Sequence, residues 1–194
     1  MQRSAGQVRI IGGRLRGRRI AVPVVPGLRP TPDRVRETLF NWLSPYIAGA
    51  RVLDLFAGTG VLGIEAASRG AAAVTLVESQ RAAQAALRDT LQKLALSEVT
   101  LVTGDALAFL ASGAGPYDVI FLDPPFAAAL QAPALAAIER HGRLAPGGFC
   151  YVEQPRGSPA PVLPAGWIAH RSGQAGEVGY HLLHVPQRDL PGHV

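Results

Sequence analysis

The sequence has one cysteine, one lysine and few aromatic residues, and each shortage removes a class of explanation. A lone thiol, Cys150, closes no internal disulfide and builds no zinc cluster, so the chain is expected to need neither crosslink nor metal. No apolar run approaches the roughly 18 residues of a membrane-spanning helix. The stretch Gln7-Val8-Arg9-Ile10-Ile11-Gly12-Gly13 lacks the apolar segment of a secretory leader, which points to the cytoplasm. Only 17% of residues are charged, but 48% are hydrophobic, which excludes a disordered polar chain. Gly 22 and Pro 16 fall far short of collagen-like usage. A chain of 194 residues then has room for one packed domain with a short appendage.

The net charge of +5 is unevenly placed. Residues 1–36 hold nine arginines against one acid, Asp33, while the remainder carries an excess of three acids. Lys93 is the single lysine; every other basic residue is Arg, whose planar fork suits phosphate and stacks on bases. Such an arm, with Arg9, Arg14, Arg16, Arg18, Arg19, Arg29, Arg34 and Arg36 as candidate contacts, points to nucleic acid.

From residue 51 onward, short β-branched runs alternate with longer helical stretches, the pattern of repeated βα units on a parallel sheet. Strands are expected at 51–56, 73–78, 99–102, 117–122 and 148–153, and helices at 61–69, 80–94, 106–111 and 130–140. A closing hairpin is expected from 167–171 and 179–185, giving an α/β, doubly wound, mostly parallel seven-stranded sheet. Residues 186–194 are expected as a flexible tail. Ahead of the sheet, 9–25 reads as a basic β-hairpin, so that 1–30 forms an arm and 31–185 the main domain. Pro30-Thr31-Pro32 predicts a helix start, with Thr31 as cap and Pro32 in the first position; Val35, Leu39, Trp42 or Leu43, and Tyr46 would share its buried face.

Asp54-Leu55-Phe56-Ala57-Gly58-Thr59-Gly60 turns the first strand into a helix, and Gly58 to Gly63 satisfies G-x-G-x-x-G. That turn suits a dinucleotide pyrophosphate or S-adenosylmethionine, so the acids that follow carry the discrimination. Glu78, followed by Ser79, stands where a carboxylate accepts from ribose hydroxyls, which serves either ligand. Asp105, followed by Ala106, stands where one accepts from an adenine amine, and Asp54 would repel a pyrophosphate but attract an amino or sulfonium cation. The charge sign favours the methyl donor.

Tyr117-Asp118-Val119-Ile120-Phe121-Leu122 runs into Asp123-Pro124-Pro125-Phe126. Two prolines cannot continue a central strand, so the loop opens at the carboxyl edge of the sheet. An exocyclic amine is a poor nucleophile because its lone pair is delocalised into the ring. Accepting its N–H groups at the Asp123 carboxylate and the Pro124 carbonyl would localise that pair, and a prolyl amide adds no competing donor. Phe126 would stack on the base.

With these residues the chain resembles class I S-adenosylmethionine-dependent methyltransferases of the amino-group type, whose fourth motif reads Asp or Asn, Pro, Pro, aromatic. Arg9-Ile10-Ile11-Gly12-Gly13, the block Arg29-Pro30-Thr31-Pro32-Asp33-Arg34-Val35-Arg36-Glu37, and Phe40-Asn41 are similar to the bacterial 16S ribosomal RNA guanine-N2 methyltransferases. So are Leu144-Ala145-Pro146-Gly147-Gly148 and Gly176-Glu177-Val178-Gly179-Tyr180. The resemblance implies S-adenosylmethionine contacts at Asp54, Gly58, Gly60, Glu78 and Asp105. It also implies a guanine at Asp123 to Phe126, S-adenosylhomocysteine as product, no metal, and 16S ribosomal RNA in an assembling small subunit as partner of a monomeric enzyme.

Other readings remain: methylation of adenine N6 in DNA or RNA, or of a glutamine amide in a protein; an NAD-linked oxidoreductase; and a non-catalytic RNA-binding assembly factor. His141, His170, His181, His184 and His193 lack ligand spacing, and Cys150 reads as a small core residue.

Overall fold

The computed structural model describes residues 6–25, 30–125 and 129–187, and among these the chain forms nine strands and five α-helices. Strands β3 (Arg51–Asp54), β4 (Ala73–Glu78), β5 (Val99–Thr103), β6 (Tyr117–Leu122) and β7 (Leu144–Pro155) run parallel. The antiparallel strands β8 (Ile168–Ala175) and β9 (Val178–His184) complete a seven-stranded sheet in the order β5-β4-β3-β6-β7-β9-β8. The chain winds outward from β3 to β5, then returns to lay β6 on the other side of β3. Such a reversal opens a crevice beyond the carboxyl ends of the two central strands.

Apolar side chains cover both faces of this sheet. Helices α1 (Asp33–Leu43), α2 (Val61–Ser68) and α3 (Arg81–Leu94) pack on one face, where Leu39, Phe40, Ile64 and Leu87 meet Val52, Val119 and Phe121. Helices α4 (Ala106–Ser112) and α5 (Gln131–Arg140) cover the other, where Leu110, Leu135 and Ile138 meet Leu53, Ile120 and Val152. The alternation along each central strand assigns the two faces. Among the described residues no helix is long and apolar enough to cross a membrane.

The doubly wound sheet is as expected, with differences at the edges. β7 reaches back to Leu144, which pairs with Tyr117 of β6, and on to Pro155, which pairs with Val178 of β9, and the β6–β7 register shifts between Tyr117 and Val119. β8 continues past Arg171 to Ala175, held by pairing with β9. Thr31 does not cap α1: the cap position falls on Pro32, and the Thr31 hydroxyl instead donates 2.9 Å to Glu153 on β7. The helix face holds for Val35, Leu39 and Leu43, but Tyr46 is exposed. Residues 188–194 of the expected tail lie outside the described residues.

The hairpin is two short strands, β1 (Gln7–Arg9) and β2 (Arg19–Ala21), pinned to α2 by a buried carboxylate. Glu65 accepts from the backbone N–H groups of Ile11 (2.8 Å) and Gly12 (2.7 Å) and pairs with Arg36 and Arg69. The Leu15 N–H donates to Ser68 Oγ at 2.9 Å, and Val8, Ile10, Leu15 and Ile20 join the main core. Arg36 is fully buried; its guanidinium also donates to the carbonyls of Thr31 (3.1 Å) and Arg9 (3.0 Å). Its candidacy as a nucleic-acid contact is therefore corrected: a charge enclosed among its partners has no face for a ligand. Replacing Glu65 with Ala leaves that buried cation only the half-exposed Asp33 as counter-ion, and should lower stability by about 3–5 kcal/mol. Amide exchange should rise first at Ile11 and Gly12; protection retained there would contradict the assignment.

Candidate functional site

The crevice between β3 and β6 holds Asp54 and the glycine turn, with Glu78 bonded to that turn from β4, while Asp105 stands at the end of β5, beyond β4. Leu55 N–H donates to the Phe121 carbonyl at 3.1 Å, which ties the glycine turn after β3 to the end of β6. In that turn Gly58 and Gly60 hold φ of +54° and +73°, a region that side chains with a Cβ rarely enter. A Cβ on Gly60 would also stand 2.5 Å from Leu87 Cδ2, and one on Gly63 only 2.3 Å from Leu76 Cδ2. Gly63 lets α2 pack directly on β4, and Gly60 lets the turn approach α3. Ala57 and Thr59 are buried, Phe56 is half-buried, and Thr59 Oγ1 accepts from Val61 N–H at 3.3 Å.

Glu78, buried at the end of β4, accepts from Gly58 N–H (2.8 Å) and from Gln80 N–H (2.7 Å), one on each oxygen. The carboxylate is thus aimed by backbone donors while each oxygen keeps a lone pair. Ser79 beside it is exposed. Asp105 is exposed and caps α4 through Ala108 N–H at 2.9 Å, while Ala106 is buried behind it. The cap orients the carboxylate and occupies one of its oxygens.

Register gathers a second set of acids. Asp54 pairs with Phe121, and Phe121 with Tyr151, so these three side chains share a face of the sheet. Two residues further along, Asp123 and Glu153 return to that face. Burial pushes the Asp54 carboxyl from its ordinary 3.8 to about 7; Glu78 and Glu153 add to the rise, and the Gly63 N–H, donating at 3.0 Å, opposes it. Asp123 is raised well above the carboxylate range by burial, then by Glu153 and Asp54. Glu153 is raised by burial and held down by the hydroxyls of Thr31 and Tyr151, each 2.9 Å from its Oε1. Pro124 is buried and Pro125 exposed; Phe126 lies outside the described residues.

Glu153 is a site residue that the sequence reading passes over as a strand end. The local part of its signal is an acid at the end of a buried run; that it falls beside Asp123 depends on the β6–β7 register.

Of the arginine arm, Arg9, Arg16, Arg18, Arg19 and Arg34 are exposed, and Arg14 pairs with Glu98 on the surface. Arg9 and Arg19 line a groove of about 350 Å³ between the hairpin and the start of α1, together with Thr31 and Asp33. Arg29 lies outside the described residues. Away from the crevice, His184 stacks on Phe149 with ring centres 4.6 Å apart. Cys150 is buried, its thiol pushed far up by burial, as befits a small core residue.

Residues 8–184 match the family model described as Conserved hypothetical protein 95. The chain is 46% identical over 188 residues to Ribosomal RNA small subunit methyltransferase D of Escherichia coli, covering 97% of this chain and 93% of that one. It is 41% identical over 181 residues to the protein of the same name in Haemophilus influenzae, covering 91% and 93%. The solved structure of Escherichia coli yhhF superposes with a TM-score of 0.87 at 43% identity, over 94% of this chain and 100% of that chain.

Because the folded state keeps a proton on Asp54 that the unfolded chain has lost, stability should fall as pH rises from about 4 to about 7. Asp54→Asn, which still accepts from Gly63, should escape that loss. Melting curves at pH 5 and pH 8 should show the wild type losing a few kcal/mol more than the variant; parallel declines would refute the burial of the charge.

Proposed function

The chain belongs to the Conserved hypothetical protein 95 family, and from that premise we propose that it is an S-adenosylmethionine-dependent ribosomal RNA methyltransferase acting on the exocyclic N2 amine of a guanine. The observation that carries this reading is the pairing of two edges: the glycine turn at the end of β3 is bonded to the strand that ends in Asp123-Pro124-Pro125.

The residues present fit the methyl donor. Beyond burial, Glu153 raises the proton affinity of both Asp54 and Asp123, and Asp54 that of Asp123, an environment that favours a cationic ligand and disfavours a dinucleotide pyrophosphate. When bound, S-adenosylmethionine supplies an electrophilic methyl group on a sulfonium. Gly58 and Gly60 offer close backbone approach, Glu78 would accept from the ribose hydroxyls, Asp105 from the adenine amine, and Asp54 would face the amino acid end. Asp123 and the Pro124 carbonyl would take the two N–H groups of the target amine, localising its lone pair and aiming it. Asp123 must be ionised to do this, and a cation alongside lowers its proton affinity.

The exposed arginines of the hairpin and of the start of α1 would grip the phosphates of 16S ribosomal RNA, in an assembling small subunit. We place the enzyme in the cytoplasm as a monomer. Supporting the RNA assignment is the near full-length likeness to proteins whose name specifies small-subunit ribosomal RNA.

Incubation with labelled methyl donor and unmodified small subunits, naked ribosomal RNA or DNA should place label in N2-methylguanosine at one site; label only in adenine or protein would reject the reading. Asp123→Ala should abolish transfer, at least 100-fold as on the order of a lost transition-state contact, while donor binding by calorimetry survives. Arg16, Arg18 and Arg19 changed together to Ala should weaken RNA binding and flatten its dependence on salt by about one unit of slope per lost phosphate contact.

A further inference from the structure

The mechanism above leaves Glu153 without a task, although it is 3% exposed and stands on the face shared by Asp123 and Asp54. Its bonding is one-sided. The hydroxyls of Thr31 and Tyr151 both donate to Oε1, and neither reaches Oε2. Two O–H donors on one oxygen favour the ionised form and fix the plane of the carboxylate, so the other oxygen is presented as an acceptor. Gln131 Nε2 donates to the Glu153 backbone carbonyl and secures the strand end.

We propose that Glu153 is the residue that selects guanine, its Oε2 accepting the N1–H of the base while Asp123 and the Pro124 carbonyl accept the neighbouring N2 amine. This rests on the guanine-N2 reading given above and adds the origin of its specificity. Guanine presents adjacent donors at N1 and N2. Adenine presents a donor at N6 beside an acceptor at N1, and cytosine a donor at N4 beside an acceptor at N3. A wall of two carboxyl groups therefore matches guanine and sets lone pair against lone pair for the other two. A site built to accept one N–H rejects an analogue without it far more strongly than a site that is only shaped for it.

Thr31 gives this selection a structural anchor at the start of α1. Its carbonyl accepts from Arg36, which Glu65 and Asp33 neutralise, so the hydroxyl that aims Glu153 is held from the α1 side. The ionisable groups facing Glu153 are Asp123 from the end of β6, Asp54 from β3 and Tyr151 on its own strand, with Tyr180 of β9 acting on Tyr151.

The test uses 2-aminopurine, which keeps the 2-amine but has an acceptor at N1. Small subunits are reconstituted with RNA carrying guanine or 2-aminopurine at the position the wild type methylates. The wild type should prefer guanine by at least about 100-fold in kcat/KM. In Glu153→Gln the two hydroxyls still require an oxygen at the Oε1 position, which turns the amide NH2 toward the base. Guanine transfer should then fall and the preference should shrink at least about tenfold. An unaltered guanine preference in this variant overturns the proposal. A wild type that methylates no guanine overturns the underlying reading and this inference with it. If Glu153→Gln melts early, Thr31→Val provides the second measurement. With one donor gone from Oε1, Glu153 ionises at higher pH, so the acid limb of guanine transfer should move upward in pH; an unmoved limb counts against the proposal.

Discussion

The Glu65 carboxylate is the constraint on which the amino-terminal third depends. A buried carboxylate is costly unless each lone pair finds a donor, and here the donors come from three separate elements: the hairpin backbone at Ile11 and Gly12, Arg36 of α1, and Arg69 at the end of α2. None of these can move away without taking a donor from a buried carboxylate. Arg36 then extends the network to the carbonyls of Arg9 and Thr31, so the same ion that satisfies Glu65 also fixes where α1 begins. The hairpin is thereby part of the sheet domain's packing, and its exposed arginines are carried on a rigid base.

The crevice has the opposite character. Where Glu65 is surrounded by donors, Asp54, Asp123 and Glu153 are set against one another, and burial raises the proton affinity of all three. Such a cluster reduces stability at neutral pH, a cost that functional sites commonly carry. The two regions meet at Thr31: its carbonyl accepts from Arg36 and its hydroxyl donates to Glu153. A path of short hydrogen bonds thus runs from the hairpin to the edge of the site.

Much of this was legible in the residues. Short β-branched runs alternating with longer helical stretches located the central elements, and the glycine turn and Asp-Pro-Pro loop marked the two strand ends that face each other. Edges were harder to read. The length of β7 depends on partners on both sides, which no local pattern contains, and Thr31 has the composition of a cap while its hydroxyl is taken by a residue 122 positions away. Arg36 looked like its neighbours in the basic arm because charge counting is blind to burial. Glu153 was missed for a related reason: its significance lies in cross-strand register, and register is set by tertiary packing.

That register behaves like a reading frame. Asp123 and Glu153 share a face because β6 and β7 keep step from Val119 and Phe149 onward. Substitutions along this stretch change volumes and leave the step intact, but deleting one residue between Phe149 and Glu153 would turn Glu153 toward the side of the sheet occupied by α4 and α5. Insertions and deletions should therefore be purged from this short segment far more stringently than amino-acid replacements, a bias expected to stand out when lineages of this family are compared position by position.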